Sequence, residues 1–154
     1  MPEQAPTLQN RKAHFDYFLM EGIEAGIALE GCEVKSIRNG KASLQDSFAR
    51  IERSEAFLYG MHISPYEQGN RYNPDPMRVR KLLLKRPELD RLSHRVMEKG
   101  LTLVPIRLYF KGGRAKIWLA VAKGKHQGDK REKLKAREAE REMDRALKTR
   151  RRNG

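Results

Sequence analysis

Toward its C-terminal third the chain alternates apolar and other residues with unusual persistence. Val104, Ile106, Leu108 and Phe110 occupy every second position, Gly112-Gly113 interrupts, and Ile117, Leu119 and Val121 alternate back. Strand side chains point to opposite faces in turn, so this pattern predicts two paired strands joined by a tight glycine turn. A lone hairpin is marginal in water, so its apolar face must be covered by further strands or helices. The domain is therefore built around a sheet.

The preceding residues supply partners for it. From Phe15, a period of two runs through Tyr17 and Leu19, then Ile23, Ala25, Ile27 and Leu29, predicting one long strand. Gly22 and Gly26 interrupt it, which permits the bends of a small closed barrel. Residues 30–39 read as a short helix with Val34 and Ile37 on one face and Asn39-Gly40 as a stop. Leu44 to Ile51 and Ala56 to Ile63 form an expected hairpin around Arg53-Ser54, with a bulge between Phe48 and Ile51 where the apolar phase changes. Gly69 to Asn73 is polar and reads as a mobile loop. Asp75-Pro76 offers an N-cap and a first-turn proline, predicting a helix through Leu82-Leu83-Leu84 to Arg86. Pro87 then opens another, with Leu89, Leu92 and Val96 at helical spacing and Gly100 as its stop. The expected fold is mainly β with flanking α: a small, OB-like closed β-barrel with about three peripheral helices.

Beyond this body the composition changes. Lys123 to Gly154 carries thirteen Lys/Arg, six Asp/Glu and only three large apolar side chains, Leu134, Met143 and Leu147. That is too few to bury a core, so burial cannot offset the entropy of ordering the segment. The tail nevertheless holds +7 of the chain's formal +13. Ala136, Ala139, Met143, Ala146 and Leu147 recur at spacings of three and four, so a narrow amphipathic helix is available to it on binding. The expected organisation is a flexible N-terminus over residues 1–9, a folded domain over 10–124, and a basic tail over 125–154, disordered in solution.

An excess of positive charge points to a polyanion, and nucleic acid is favoured because phosphate neutralisation by Lys and Arg dominates such binding. No apolar run approaches the roughly 20 residues needed to span a bilayer. Met1 to Pro6 lacks the regions of a signal peptide, and Cys32 stands alone, so the reading is cytoplasmic. Enzyme chemistry finds no constellation. His14, His62, His94 and His126 are scattered, and the Lys111-Gly112-Gly113-Arg114 and Lys123-Gly124-Lys125 texts lack phosphate-loop spacing. No catalytic residue, metal site or cofactor is expected. Composition alone leaves open a general rRNA-binding protein of the ribosome or an RNA-modifying enzyme with an OB-like anchor.

Three local texts are more specific. The first is Asn10-Arg11-Lys12-Ala13-His14-Phe15-Asp16-Tyr17, leading into Glu24-Ala25-Gly26-Ile27-Ala28-Leu29 and Glu33-Val34-Lys35-Ser36-Ile37-Arg38. The second is Arg78-Val79-Arg80-Lys81-Leu82-Leu83-Leu84. The third is Gly113-Arg114-Ala115-Lys116, then Ala122-Lys123-Gly124-Lys125 and Asp129-Lys130-Arg131-Glu132. In this order and spacing they resemble the SsrA-binding protein (small protein B) family of bacteria, from Asn10 onward.

The resemblance implies trans-translation, the rescue of ribosomes stalled on messages without a stop codon. In that family an OB-like body binds the tRNA-like domain of transfer-messenger RNA and stands in for its missing anticodon arm. The tail becomes helical along the empty mRNA channel of the 30S and 70S ribosome, next to the decoding centre. Elongation factor Tu with GTP accompanies the charged RNA, and the factor itself is a non-catalytic monomer.

The implied RNA contacts are Asn10, Arg11, Lys12, Gly22, Glu24, Leu83, Lys116 and Lys123. A carboxylate facing RNA is costly unless it accepts hydrogen bonds from base amino groups or a 2′-OH, so Glu24 reads as a specificity contact. Glycines beside it would let the RNA backbone approach closely. Lys116 lies opposite Ile117, Leu119 and Val121 and suits a phosphate. Leu83 is the member of its leucine run that the family uses at the RNA surface, against the plain alternative of core packing. For the tail the implied ribosome contacts are Lys125, His126, Asp129, Lys130, Arg131, Met143, Ala146 and Leu147. Two departures stand out: Phe15 where relatives commonly have histidine, and Gly128 where they often carry an aromatic or histidine. At the latter, either His126 supplies the stacking contact or it is absent.

Overall fold

The computed structural model describes residues 7–67, 73–98, 100–125 and 137–147. The chain separates into two units, residues 1–124 and 125–154. The first contains β1 (Leu8–Gln9), α1 (Arg11–Asp16), β2 (Tyr17–Ile27), α2 (Gly31–Arg38), β3 (Ala42–Ser43), β4 (Phe48–Glu52), β5 (Glu55–Tyr59), β6 (His62–Ile63), β7 (Arg80–Leu83), α3 (Arg86–Val96), β8 (Leu101–Lys111) and β9 (Arg114–Gly124). It is mainly β with a few helices. Seven strands pair in the order β1-β8-β4-β5-β7-β2-β9, and β9 also pairs with β8; β3 and β6 form a separate two-stranded ladder.

The β8–β9 hairpin forms as expected around Gly112 and Gly113, both with the positive φ that this turn demands. Its register nonetheless shifts once, between Pro105 and Arg107. Inserting one residue moves the following side chains to the other face. Leu103 and Leu108 therefore enter the main core, whereas Val104 and Ile106 join a second cluster with Ala13, Ala120 and Ala122. The uninterrupted alternation from Val104 to Phe110 thus serves two cores, not one.

The first predicted strand begins two residues later than Phe15. Phe15 lies in α1, which Asn10 caps through its side-chain oxygen, and β2 starts at Tyr17. A register shift between Leu19 and Gly22 then resets the alternation, so that Ile23, Ala25 and Ile27 face the core. Residues 7–9 are not a loose end: Leu8 and Gln9 pair with Leu108 and Arg107.

The expected β4–β5 hairpin is present but shorter, with Arg53 and Ser54 both at positive φ in the turn. No bulge separates Phe48 from Ile51, because the ladder runs unbroken from Phe48↔Tyr59 to Glu52↔Glu55. The apolar phase change has another origin. Phe48 stacks on Tyr59 with ring centroids 5.6 Å apart, while Ala49 is the residue that enters the core and Ile51 packs against it.

The helix expected from Asp75 to Arg86 does not form. Asp75 does cap a turn, accepting from the Met77 amide at 2.8 Å, but Arg80 to Leu83 continue as β7 between β5 and β2. Arg80 and Leu82 are buried, Lys81 and Leu83 exposed, which is strand periodicity. Sheet pairing overrides the cap signal here. The second helix of that pair, α3, is present and is boxed at its start by the Glu88 carboxylate on the Lys85 amide (2.8 Å). The polar stretch Gly69 to Asn73 lies outside the described residues except for Asn73, whose amide group bonds both backbone groups of Tyr66 at 2.8 Å.

What holds α2 to the sheet is a buried charge cluster. Glu33 is 2% exposed and Arg80 fully buried. Arg80 donates to Glu33 (2.8 Å), to the Met61 carbonyl (2.6 Å) and to the Pro76 carbonyl (3.1 Å), and Arg78 donates to the other Glu33 oxygen (2.5 Å). Burial by itself would raise the Glu33 pKa. Donors from Arg78, the Glu30 amide and Arg80 outweigh it, and the carboxyl is held below its ordinary value of 4.5.

Removing one member of such a cluster leaves the others buried and uncompensated, at a cost of about 3–5 kcal/mol. Glu33→Ala is therefore expected to lower the unfolding free energy extrapolated from urea melts by that amount, with a correspondingly lower midpoint. The carboxylate also sets an acid limit. Its pKa is depressed in the folded state, so its stabilisation is complete above about pH 4.5 and is lost as pH falls below it. Glu33→Gln should flatten the acid side of the stability profile measured between neutral pH and pH 3. An unchanged profile would show that Glu33 is not the titrating group.

Candidate nucleic-acid interface

Residues of β2, β7 and β9 converge on one groove, with Tyr109 of β8 buried beside it. In the β2–β9 ladder Glu24 faces Trp118 and Gly26 faces Lys116; in β2–β7 Gly26 faces Leu83; in β8–β9 Tyr109 faces Lys116. The groove, of about 470 Å³, is lined by Glu24, Gly26, Leu83, Lys85 and Lys116, among others. Three residues expected to contact RNA, from three distant parts of the sequence, thus share one surface.

Glu24 is one-third exposed. Its Oε2 accepts from the Tyr109 hydroxyl at 2.6 Å and lies 3.7 Å from the Lys111 ammonium. The tyrosine hydrogen bond is the main cause that holds the Glu24 carboxyl below its usual range. Burial, with the nearby carboxylate, pushes the Tyr109 hydroxyl up to about 12, so it remains a donor at any working pH. Both contacts fall on Oε2, leaving Oε1 to accept from a ligand. The site offers an ionised acceptor beside a cation, which suits a base amino group or a 2′-OH next to a phosphate.

Leu83 is 53% exposed while Leu82 is buried, so the pleat of β7 separates the surface leucine from the core leucine. The two glycines act differently from expectation. A Cβ on Gly22 would lie 2.4 Å from the Trp118 Nε1, and one on Gly26 would lie 3.1 Å from the Leu83 Cβ. The space above each is occupied by a side chain of the protein itself.

The N-terminal residues divide. Asn10 is buried, its Oδ1 accepting from the Ala13 amide (3.3 Å) and its Nδ2 donating to the Pro105 carbonyl (2.8 Å). It anchors α1 to β8 and is almost wholly buried. Arg11 is exposed beside Gln9, and Lys12 is exposed but ion-paired to Asp46 at 2.8 Å, a bond that raises its pKa. Lys123 is exposed near the end of β9, facing Phe18 and Leu101 across the ladders. Sequence patterns gave no sign of the Tyr109 hydrogen bond or of Arg107, whose guanidinium lies 5.2 Å from the Trp118 ring. Both become visible only once the β8–β9 register is known.

In the second unit residues 137–147 are helical and exposed throughout, Met143, Ala146 and Leu147 included. Lys125 directly follows β9. His126, Gly128, Asp129, Lys130 and Arg131 lie outside the described residues. Among the described residues, no group of three or more His, Cys, Asp or Glu side chains is arranged to hold a metal, and no helix is long and apolar enough to cross a membrane.

A family model described as SmpB protein matches residues 7–149. The chain belongs to the SmpB family. The SsrA-binding protein of Geobacillus kaustophilus is 60% identical over 142 residues, covering 92% of this chain and 92% of the relative. That of Acetivibrio thermocellus is 58% identical over 146 residues, 95% of each. A chain of the solved structure described as "tmRNA-SmpB: a journey to the center of the bacterial ribosome" is 50% identical, with a TM-score of 0.69, and covers 84% of this chain and 95% of that one. The family named from three local texts is thereby shown.

Because the indole occupies the Gly22 space, Gly22→Ala must displace it. Overpacking of this kind typically costs about 1–3 kcal/mol. The variant should unfold at lower urea and shift the emission of Trp118, the chain's single tryptophan. An unaltered emission spectrum would mean that the close approach is relieved elsewhere.

Proposed function

We propose that this chain is an SsrA-binding factor of trans-translation. It binds transfer-messenger RNA and acts with it on the ribosome, without catalysing a reaction itself. One observation carries the reading: in a member of the SmpB family, Glu24, Leu83 and Lys116 meet in a single groove. The groove engages the tRNA-like domain, Lys116 binding phosphate and Glu24 accepting from base or ribose donors. Arg11, Lys12 and Lys123 add positive charge elsewhere on the same body for further RNA contacts, while Asn10, Gly22 and Gly26 position neighbouring side chains.

The body that presents this groove is an OB-like closed barrel. In support, each of β8, β4, β5, β7, β2 and β9 is hydrogen-bonded to the next, and β9 is bonded to β8 again. The tail is a separate instrument. Its helix over 137–147 is exposed on every side and carries alternating charges, the mark of a helix that gains its packing from a partner. It is disordered when free and becomes ordered in the empty mRNA channel. Met143, Ala146 and Leu147 form its apolar stripe, and Lys125, His126, Asp129, Lys130 and Arg131 lie toward the decoding centre. The factor works in the cytoplasm as a monomer, and elongation factor Tu with GTP accompanies the charged RNA.

Truncation after Gly128 should leave binding to transfer-messenger RNA within a few-fold of normal while abolishing peptide tagging in a reconstituted translation reaction. Normal tagging by the truncated chain would overturn this division of labour. For the groove, Lys116→Ala and Glu24→Ala should both weaken binding, but only Lys116→Ala should reduce the salt slope, by about one unit. Equal slopes for wild type and Lys116→Ala would remove the phosphate role.

A further inference from the structure

Next to the groove stands a feature that neither the family resemblance nor the charge pattern anticipates. The register shift between Pro105 and Arg107 sets Arg107 opposite Trp118 in the β8–β9 ladder. Its guanidinium lies 5.2 Å from the Trp118 ring and 6.0 Å from that of Tyr109. Among the described residues Arg107 makes no ion pair and is held by the two aromatic faces. Trp118 is in turn seated on Gly22, where any side chain would collide with it. Arg107 also lines a pocket of about 180 Å³ with Gln9, Asn10, Arg11, His14 and Ile106. The Asn10 side chain is bonded to protein through both its polar atoms, so the pocket's positive chemistry rests on the Arg11 and Arg107 guanidinium groups.

We propose that this pocket is a nucleotide subsite: one unpaired base of the bound RNA stacks on the Arg107 guanidinium, backed by Trp118, and its phosphate meets Arg11. The inference rests on the RNA-binding function above and adds to it a place where a base is held by stacking. An arginine plane supported by an aromatic ring is a surface on which any base can lie, and unpaired loop bases are what proteins capture this way. Without a carboxylate to neutralise it, Arg107 keeps its donors for the ligand, and its fork gives it a planarity that lysine lacks. Tyr109 joins the subsite to the groove, touching Arg107 through its ring and Glu24 through its hydroxyl. A base in the pocket and a donor on Glu24 can therefore belong to one RNA strand.

The single tryptophan makes the test direct. Full-length protein is titrated with a transcript of the tRNA-like domain, following binding by gel shift and Trp118 by its emission and its acrylamide quenching. The transcript should quench the emission and protect the indole from acrylamide, whereas a fully paired RNA duplex of equal length should do neither. Arg107→Lys keeps the charge and loses the plane, so it should weaken transcript binding about tenfold with an unchanged salt slope. Wild-type affinity in Arg107→Lys would reduce Arg107 to a point charge and overturn the subsite. So would tight transcript binding that leaves Trp118 emission and quenching untouched. If the transcript did not bind wild-type protein at all, the RNA-binding function would fall first and the subsite with it.

Discussion

Glu33 is ionised where almost no water reaches it, and much of the body is arranged around that fact. The carboxylate is shared between Arg78 and Arg80, and Arg80 goes on to bind the carbonyls of Met61 and Pro76. One guanidinium thereby ties the start of α2, the junction between β5 and β6, and the turn before β7. A buried ion cluster is weak evidence for net stability, since well-packed apolar groups often do as well. Its effect here is positional. With Arg80 drawn inward, the pleat sends Leu82 inward and Leu83 outward, and β7 lies between β5 and β2 with Leu83 against Gly26. A one-residue slip of β7 would bury Leu83 and expose Arg80. The Glu33–Arg80 pair opposes that slip, which would carry the guanidinium away from its buried carboxylate.

The outer face is set by two irregularities of register. The shift in β2 between Leu19 and Gly22 places Glu24 outward opposite Trp118, and the shift in β8 after Pro105 places Arg107 and Tyr109 on the same side. Regular strands would have put either Glu24 or Ile23, and either Arg107 or Leu108, on the wrong face. Proline at position 105 has no amide to give to the ladder, so an irregularity beside it loses little hydrogen bonding. The two shifts also separate the small cluster under α1 from the main core.

These features explain which parts of the fold were legible in the sequence. The hairpin at Gly112-Gly113, the helices over 31–38 and 86–96 and the turn at Arg53-Ser54 are local texts, and each produced its element. β7 was misread because Asp75-Pro76 is a genuine cap signal that yields only one turn, and Leu82-Leu83-Leu84 has no period of its own. The deciding partner of Arg80 lies 47 residues earlier. The interface shows the same division. Glu24, Leu83 and Lys116 could be singled out from family texts, but not their meeting in one groove. Asn10 reads as a contact through the family resemblance, and in the structure its amide holds α1 to β8. The glycines looked like openings for RNA and turned out to be seats for Trp118 and Leu83. In each case the side chain's place depends on a partner distant in sequence: Glu33 for Arg80, Pro105 for Asn10, Trp118 for Gly22 and Leu83 for Gly26.

The chain's charge and the Glu24 carboxylate in the groove pull in opposite directions, and the RNA contact proposed for Glu24 would draw its selectivity from that opposition. A formal +13 attracts any nucleic acid, and that attraction says nothing about which. Glu24 repels phosphate, and the Tyr109 hydroxyl keeps it ionised so that it continues to do so. An RNA that merely lays its backbone along the groove must bury that repulsion, while one that offers an amino group or a 2′-OH to Oε1 turns it into a charge-assisted hydrogen bond. Placing Lys111 and Lys116 around the carboxylate sharpens the contrast, because phosphate is welcome a few ångströms away but not on the acid itself. Discrimination of the kind proposed for Glu24 would be one of geometry at fixed overall charge. A body of this design can choose its RNA while leaving bulk attraction to the basic tail.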